Sequence, residues 1–182
     1  MLDGPRHLAG RAADRIAQGL SYLAPKRSGR IDTELRRLLN PCEFGLVARL
    51  SVSDRAHVLA VYQRLVQRGC HEPDLLKAAL LHDVGKADGD ARVGLVHRTI
   101  AVLLRAASPR LFCWLTIEKG TGWRRPFQLI TKHPALGARK AHDAGCNERV
   151  CWLIEHHHDA EVGGDAGLLA LQRADEGWGR SR

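Results

Sequence analysis

The sequence predicts an all-α helical bundle around one core, on three observations. Apolar residues recur at helical spacing, capping and breaker residues punctuate the apolar stretches, and no series of alternating strands or internal repeat occurs. The 182 residues fit one domain with a short appendage, and an apolar share of 45% can supply a single core.

Taken in order, residues 1–30 read as peripheral. A short amphipathic piece, Leu8 to Leu23, ends at Ala24-Pro25-Lys26-Arg27-Ser28-Gly29-Arg30, which reads as a basic linker with breaker residues. The expected division is an N-terminal helical extension and linker over 1–44 and the main domain over 45–182. Ser51-Val52-Ser53-Asp54 offers side-chain oxygens to cap a helix that runs to about Arg68 and stops at Gly69. Its apolar residues Val58, Leu59, Tyr62, Leu65 and Val66 share one face. Pro73 suits the first turn of the next helix, which Leu75, Leu76, Ala79 and Leu80 carry into His82-Asp83, with Gly85 ending it. Residues 95–117 form a long apolar helical stretch broken at Ser108-Pro109, which is expected to cover the core, with a dimer face or contact with a membrane surface as the alternatives; Lys119 to Pro126 reads as a loop. A helix is expected after Pro134, ending near Gly145; Asn147 caps another from Glu148 to about His157, and Asp165 caps a last one from Ala166 to Ala174.

Bulk composition narrows the function classes. No run of about 18 uncharged apolar residues occurs, so no spanning helix is expected. The opening residues lack a signal-peptide pattern, because Arg11, Asp14 and Arg15 interrupt any apolar core. The cysteines (Cys42, Cys70, Cys113, Cys146 and Cys151) are odd in number and scattered, which argues against a disulfide framework and fits a reducing cytoplasm. The formal charge of +8, mostly arginine, favours contact with anions such as a phosphorylated substrate. Nucleic-acid binding is not expected, since the positives are spread out and aromatic residues are few.

The ten histidines are informative through their positions. His57, His82-Asp83, His133, His157-His158 and Asp175 each lie on or near the end of an expected helix. Helices that contribute one or two ligands each are how a bundle builds a metal site in its core. Imidazole with carboxylate suits iron, manganese, zinc or similar divalent ions, and the lack of thiolate pairs argues against a closed structural zinc site. Burial of Asp83 at the edge of an apolar helix calls for a compensating cation; the bland alternative is a helix C-terminal His and a solvated Asp.

The local contexts are Leu80-Leu81-His82-Asp83-Val84-Gly85-Lys86, His133-Pro134-Ala135-Leu136-Gly137-Ala138, Ile154-Glu155-His156-His157-His158-Asp159 and Ala174-Asp175. In this order, and with His57 upstream, the chain resembles the HD-domain superfamily of metal-dependent phosphohydrolases over residues 45–178. The extra histidines are most similar to the HD-GYP branch. The chain departs from that branch after the triplet, where Ala160-Glu161-Val162-Gly163-Gly164-Asp165 stands in place of the Gly-Tyr-Pro signature.

The resemblance implies a helical bundle with its metal site in the core. It implies that His57, His82, Asp83 and Asp175 hold one metal, and that Asp83 bridges to a second held by His133, His157 and His158. It further implies hydrolysis of a phosphomonoester or phosphodiester, of a nucleotide or related small molecule, by a metal-activated water. Asp83 and Lys86 are the catalytic candidates, Lys86 because the corresponding lysine faces the substrate phosphate. Lys86 as a plain helix cap is the bland alternative. His156 is expected to be a supporting or surface residue, and His97, Arg98, Lys132 and Arg124-Arg125 are further candidates for phosphate contacts. Two other readings stay open: an HD-domain di-iron oxygenase, and a non-catalytic metal-binding regulatory module.

Overall fold

Local signals fix where most helices begin and end. A computed structural model of the protein describes residues 25–89, 91–93, 95–116, 122–161 and 163–176. The expected amphipathic piece Leu8 to Leu23 lies outside those residues. The described chain is an all-α bundle: α1 (Pro25–Leu38), α2 (Pro41–Val47), α3 (Val52–Gln67), α4 (Pro73–Leu81), α5 (Leu95–Ala107), α6 (Pro109–Thr116), α7 (Arg125–Asp143), α8 (Glu148–His156) and α9 (Ala166–Glu176). Tight three-residue turns, Val84–Lys86 and Gly122–Arg124, follow α4 and precede α7. Between α4 and α5 a minimal antiparallel pairing joins β1 (Ala87–Asp88) to β2 (Ala91–Arg92), with Ala87 opposite Arg92.

The caps behave as the side-chain chemistry requires. Ser51 accepts from the amide of Asp54 at 3.2 Å, Asn147 from that of Val150 at 2.9 Å, and Asp165 from that of Leu168 at 2.8 Å. Asn40 and Glu43 form a reciprocal capping box at the start of α2, and Lys77 on α4 reaches the buried Glu43 carboxylate at 2.7 Å. Gly69, with φ +78°, takes the left-handed conformation that ends α3.

Three expectations need correction. The expected linker at 24–30 is, from Pro25 onward, the start of α1. Proline lacks an amide proton that a first turn does not use, and one helical glycine costs only about 1 kcal/mol, which burial of Leu35 and Leu39 in the core offsets. The helix expected after Pro134 begins nine residues earlier, so Pro134 lies inside α7 and Arg125 and Pro126 are helical rather than loop. Last, the 95–116 stretch breaks at Ser108 as expected but does not cover the main core. It forms a separate small cluster in which Ala101, Leu104, Phe112 and Leu115 meet Phe127 and Ile130 of α7.

The main core lies among α1 to α4, the C-terminal half of α7, α8 and α9, and includes the fully buried Leu35, Leu65, Leu81, Leu153, Ile154 and Leu171. Helix α7 crosses the turn after α4 at very close range. A Cβ on Gly85 would lie 2.0 Å from the His133 carbonyl oxygen, and one on Gly137 would lie 3.4 Å from the Gly85 nitrogen. Only glycine at 85 lets the two backbones approach so closely, and this contact brings His133 beside His82-Asp83. Among the described residues no helix is long and apolar enough to cross a membrane.

Candidate metal centre

Every residue nominated as a ligand converges on one space within the bundle, with His158 on its exposed side; His57 and His133 lie inside their helices rather than near an end as expected. His57 comes from the middle of α3, His82 and Asp83 from the end of α4, and His133 from α7. His157 and His158 follow α8, and Asp175 lies in the last turn of α9. Two clusters result, each with its donor atoms within 4.8 Å of one another: His57, His82 and Asp83, and His133, His157 and His158. Asp175 joins the first cluster, with Oδ1 2.8 Å from His57 Nε2 and 3.7 Å from His82 Nε2. Asp83 lies between the clusters: its carboxylate is 3.7 Å from His57 Nε2, 3.6 Å from His82 Nε2 and 3.8 Å from His133 Nε2. The rings of His82 and His133 both stand edge-on to His157, at 5.1 and 5.3 Å between centroids.

Three imidazoles are oriented by one local device. His82 Nδ1 donates to the Ala79 carbonyl at 2.9 Å, His133 Nδ1 to Ile130 at 3.0 Å, and His157 Nδ1 to Ile154 at 2.6 Å. Each acceptor lies three residues back. At His82 and His157 the helix is ending, so its last carbonyls run short of helical donors. At His133 the next residue, Pro134, lacks the amide proton that would bond the Ile130 carbonyl. A carbonyl can only accept, so Nδ1 carries the proton and Nε2 keeps its lone pair. The Nε2 atoms of His82, His133 and His157 are buried with no hydrogen-bond partner. A ring tied by Nδ1 to a backbone carbonyl, with Nε2 left as the donor, is the usual arrangement of a metal-ligating histidine.

The electrostatics point the same way. Burial pushes the His133 imidazole down to about 3, with the Lys86 charge adding to the effect. Burial likewise lowers His157 well below its usual range, helped by His82 and His158, and lowers His158. These rings are neutral near pH 7 and available as ligands. Burial opposes ionisation of Asp83, but Lys86 and the surrounding imidazoles overcome it and hold the carboxyl well below its ordinary range. Asp175 is lowered too: burial opposes, and the hydrogen bond from His57, with the His82 ring beside it, prevails. Lys86 Nζ lies 2.6 Å from each Asp83 oxygen, so it faces the carboxylate rather than capping the helix from outside. Two carboxylates beside one ammonium leave the pocket negative, and the unbonded ring nitrogens need a partner. The residues present therefore fit a divalent cation.

The remaining candidates separate. His156 turns away and pairs with Asp159 at 2.6 Å on the exposed side. Arg125 pairs with Asp88, Arg124 bonds the Trp114 carbonyl and covers its ring, and His97 stands edge-on to Phe127. Lys132 is half-buried on α7. The Arg98 side chain is outside the described set. Sequence reasoning missed Arg64, whose Nη1 donates at 2.7 Å to the carbonyl of Ala174, the residue before Asp175. Its only sequence signal is its position seven residues after His57, on the same face of α3.

A helical bundle that gathers imidazoles and carboxylates in this way could hold a metal ion. The family model of the HD domain matches residues 55–177, more than half of the chain, and the protein belongs to that family. Among curated proteins no match was found, nor among solved structures.

Proposed function

We propose that the protein is a metal-dependent phosphohydrolase, cleaving a phosphomonoester or phosphodiester of a nucleotide or related small molecule. The reading extends to location and organisation: a cytoplasmic enzyme with residues 1–44 as a helical extension and 45–182 as the catalytic domain. His57, His82, Asp83 and Asp175 would hold one cation, and His133, His157 and His158 a second, with Asp83 shared. Iron, manganese or a similar ion suits this ligand set. The observation that carries the reading is the set of buried Nε2 atoms on His82, His133 and His157, unbonded and grouped around Asp83.

A cation bound there supplies a Lewis acid for the phosphoryl oxygens and brings a coordinated water towards ionisation near neutral pH. The protein's residues supply the rest. Asp83 fixes the spacing of the two clusters. Lys86, held at its carboxylate, places a compact positive charge where a substrate phosphoryl oxygen would sit, and so offsets charge that grows in the transition state. Asp175, the more exposed carboxylate at 20%, pairs with His57 and orients that ring.

The test is a phosphoester and nucleotide panel with manganese and with ferrous iron, run with and without oxygen. Wild type should turn over at least one class under anaerobic conditions and lose activity in chelator. Asp83→Ala should lose most metal and all turnover while its helical circular dichroism persists. Lys86→Ala should keep its metal and lose about 10²-fold in kcat. Bound metal without turnover on any phosphoester, or full activity in metal-stripped Asp83→Ala, contradicts the proposal.

A further inference from the structure

The backbone of Lys86 is held on both sides. Before it, Gly85 packs against the α7 backbone at His133 and Gly137. The Lys86 carbonyl itself accepts from the Val93 amide at 3.1 Å, which closes the β1–β2 pairing back onto it. After it, α7 grips the chain twice. Lys140 Nζ donates to the Ala87 carbonyl, and the Asp88 carboxylate pairs with Arg125 and lies 3.4 Å from Lys140 Nζ.

The β1–β2 pairing joins only Ala87 to Arg92 and Asp88 to Ala91, and so short a ribbon does not hold its own shape in water. Its place is set by what it touches. Arg125 lies in the first turn of α7 and Lys140 in the last, with His133 between them. Asp88 thus takes one cation from each end of the helix that supplies His133. The Arg125 hydrogen bond, with the Lys140 charge beside it, holds the Asp88 carboxyl below its ordinary range, so both pairs persist at neutral pH. Partly exposed ion pairs add little to stability. They can still fix geometry, and a displacement of about 1 Å at a reacting group can cost about 10²-fold in rate. Asp83 fixes the far end of the Lys86 side chain, with Nζ 2.6 Å from each oxygen. The near end, its backbone, is fixed by Gly85, by Val93 and by the clamp on Asp88.

We propose that Asp88, clamped by Arg125 and Lys140, is a positioning residue that sets the Lys86 ammonium at the place of a phosphoryl oxygen. The inference rests on the phosphate-facing role of Lys86 in the proposed function. It also gives Arg125 a part other than the phosphate contact expected from the sequence: Arg125 acts through Asp88.

The experiment is calorimetric titration of inorganic phosphate into the manganese-loaded full chain, as a double-mutant cycle of Asp88→Ala and Lys86→Ala. Asp88→Ala should keep the wild-type manganese content and bind phosphate about tenfold more weakly. With Lys86→Ala already present, the same substitution should change the affinity by less than about twofold. A merely structural role would weaken binding equally in both backgrounds. Should Asp88→Ala fail to fold, Lys140→Met removes one side of the clamp and takes its place in the cycle. Wild-type affinity in the variant, equal loss in both backgrounds, or loss of manganese would overturn the proposal. So would a manganese-loaded wild type that binds no phosphate, since Lys86 would then face none. Turnover is not read in this cycle. A phosphoester panel without hydrolysis removes the proposed reaction alone, and equal losses in an active enzyme remove the role of Asp88 alone.

Discussion

At the scale of single residues, the site depends on how a helix disposes of surplus carbonyls. His82 and His157 use the unpaired carbonyls of a helix end, and His133 uses one that Pro134 sets free inside α7. This gives Pro134 a role apart from its effect on helix geometry. Pro134→Ala returns an amide donor to the Ile130 carbonyl and competes with the His133 ring. Metal affinity measured by calorimetric titration should fall by about tenfold, while thermal stability holds or rises. Unchanged affinity would mean that the carbonyl accepts both donors. Gly85 is the second sensitive position. Because an added methyl would lie 2.0 Å from the His133 carbonyl oxygen, Gly85→Ala should cost about 3 kcal/mol in urea unfolding. A cost near zero would show that the turn and α7 can separate freely.

Among elements, the bundle joins sequence-distant helix ends through a few directed contacts. Arg64 ties α3 to the last turn of α9, and so to the backbone that carries Asp175. Arg64→Met keeps most of the apolar stem and removes the charged donor. It should destabilise the fold by about 2 kcal/mol, and it should weaken metal binding at His57, His82 and Asp175 more than at His133, His157 and His158. Equal loss at both clusters would assign Arg64 a purely structural part. Elements were legible in the sequence where their signals are local: Ser51, Asn147 and Asp165 each announce a helix through a side chain that must satisfy a nearby amide. They were less legible where one residue permits two outcomes. Pro25 begins a helix as readily as it breaks one, and Pro134 marks no boundary because tertiary packing and the His133 ring make up for its missing proton. The order of histidines and aspartates nominated residues that do meet in space. The carbonyl tethers and Arg64 were hidden, because they depend on backbone atoms that every residue type carries.

For the molecule as a whole, acid stability follows from two buried imidazoles, His133 and His157, and from the more exposed His158 beside them. His133, His157 and His158 all have lowered pKa values in the folded state. In the unfolded chain such rings take up protons below about pH 6.5, so the unfolded state binds more protons and stability falls as pH falls. The lowered Asp83 and Asp175 act in the same direction further into acid. Metal-free protein should therefore melt at progressively lower temperature from about pH 6.5 down to pH 4, and bound metal should oppose this near neutrality. A flat profile over that range would mean that the rings are not held neutral by burial.

The account as a whole rests on cations at the two clusters, and anomalous diffraction from crystals grown with manganese reads this most directly. Two anomalous peaks should appear, one at the Nε2 atoms of His57 and His82 with Asp175, the other at those of His133 and His157 with His158, and Asp83 between them. No peak at these nitrogens under saturating manganese, or manganese bound only elsewhere on the molecule, would contradict it.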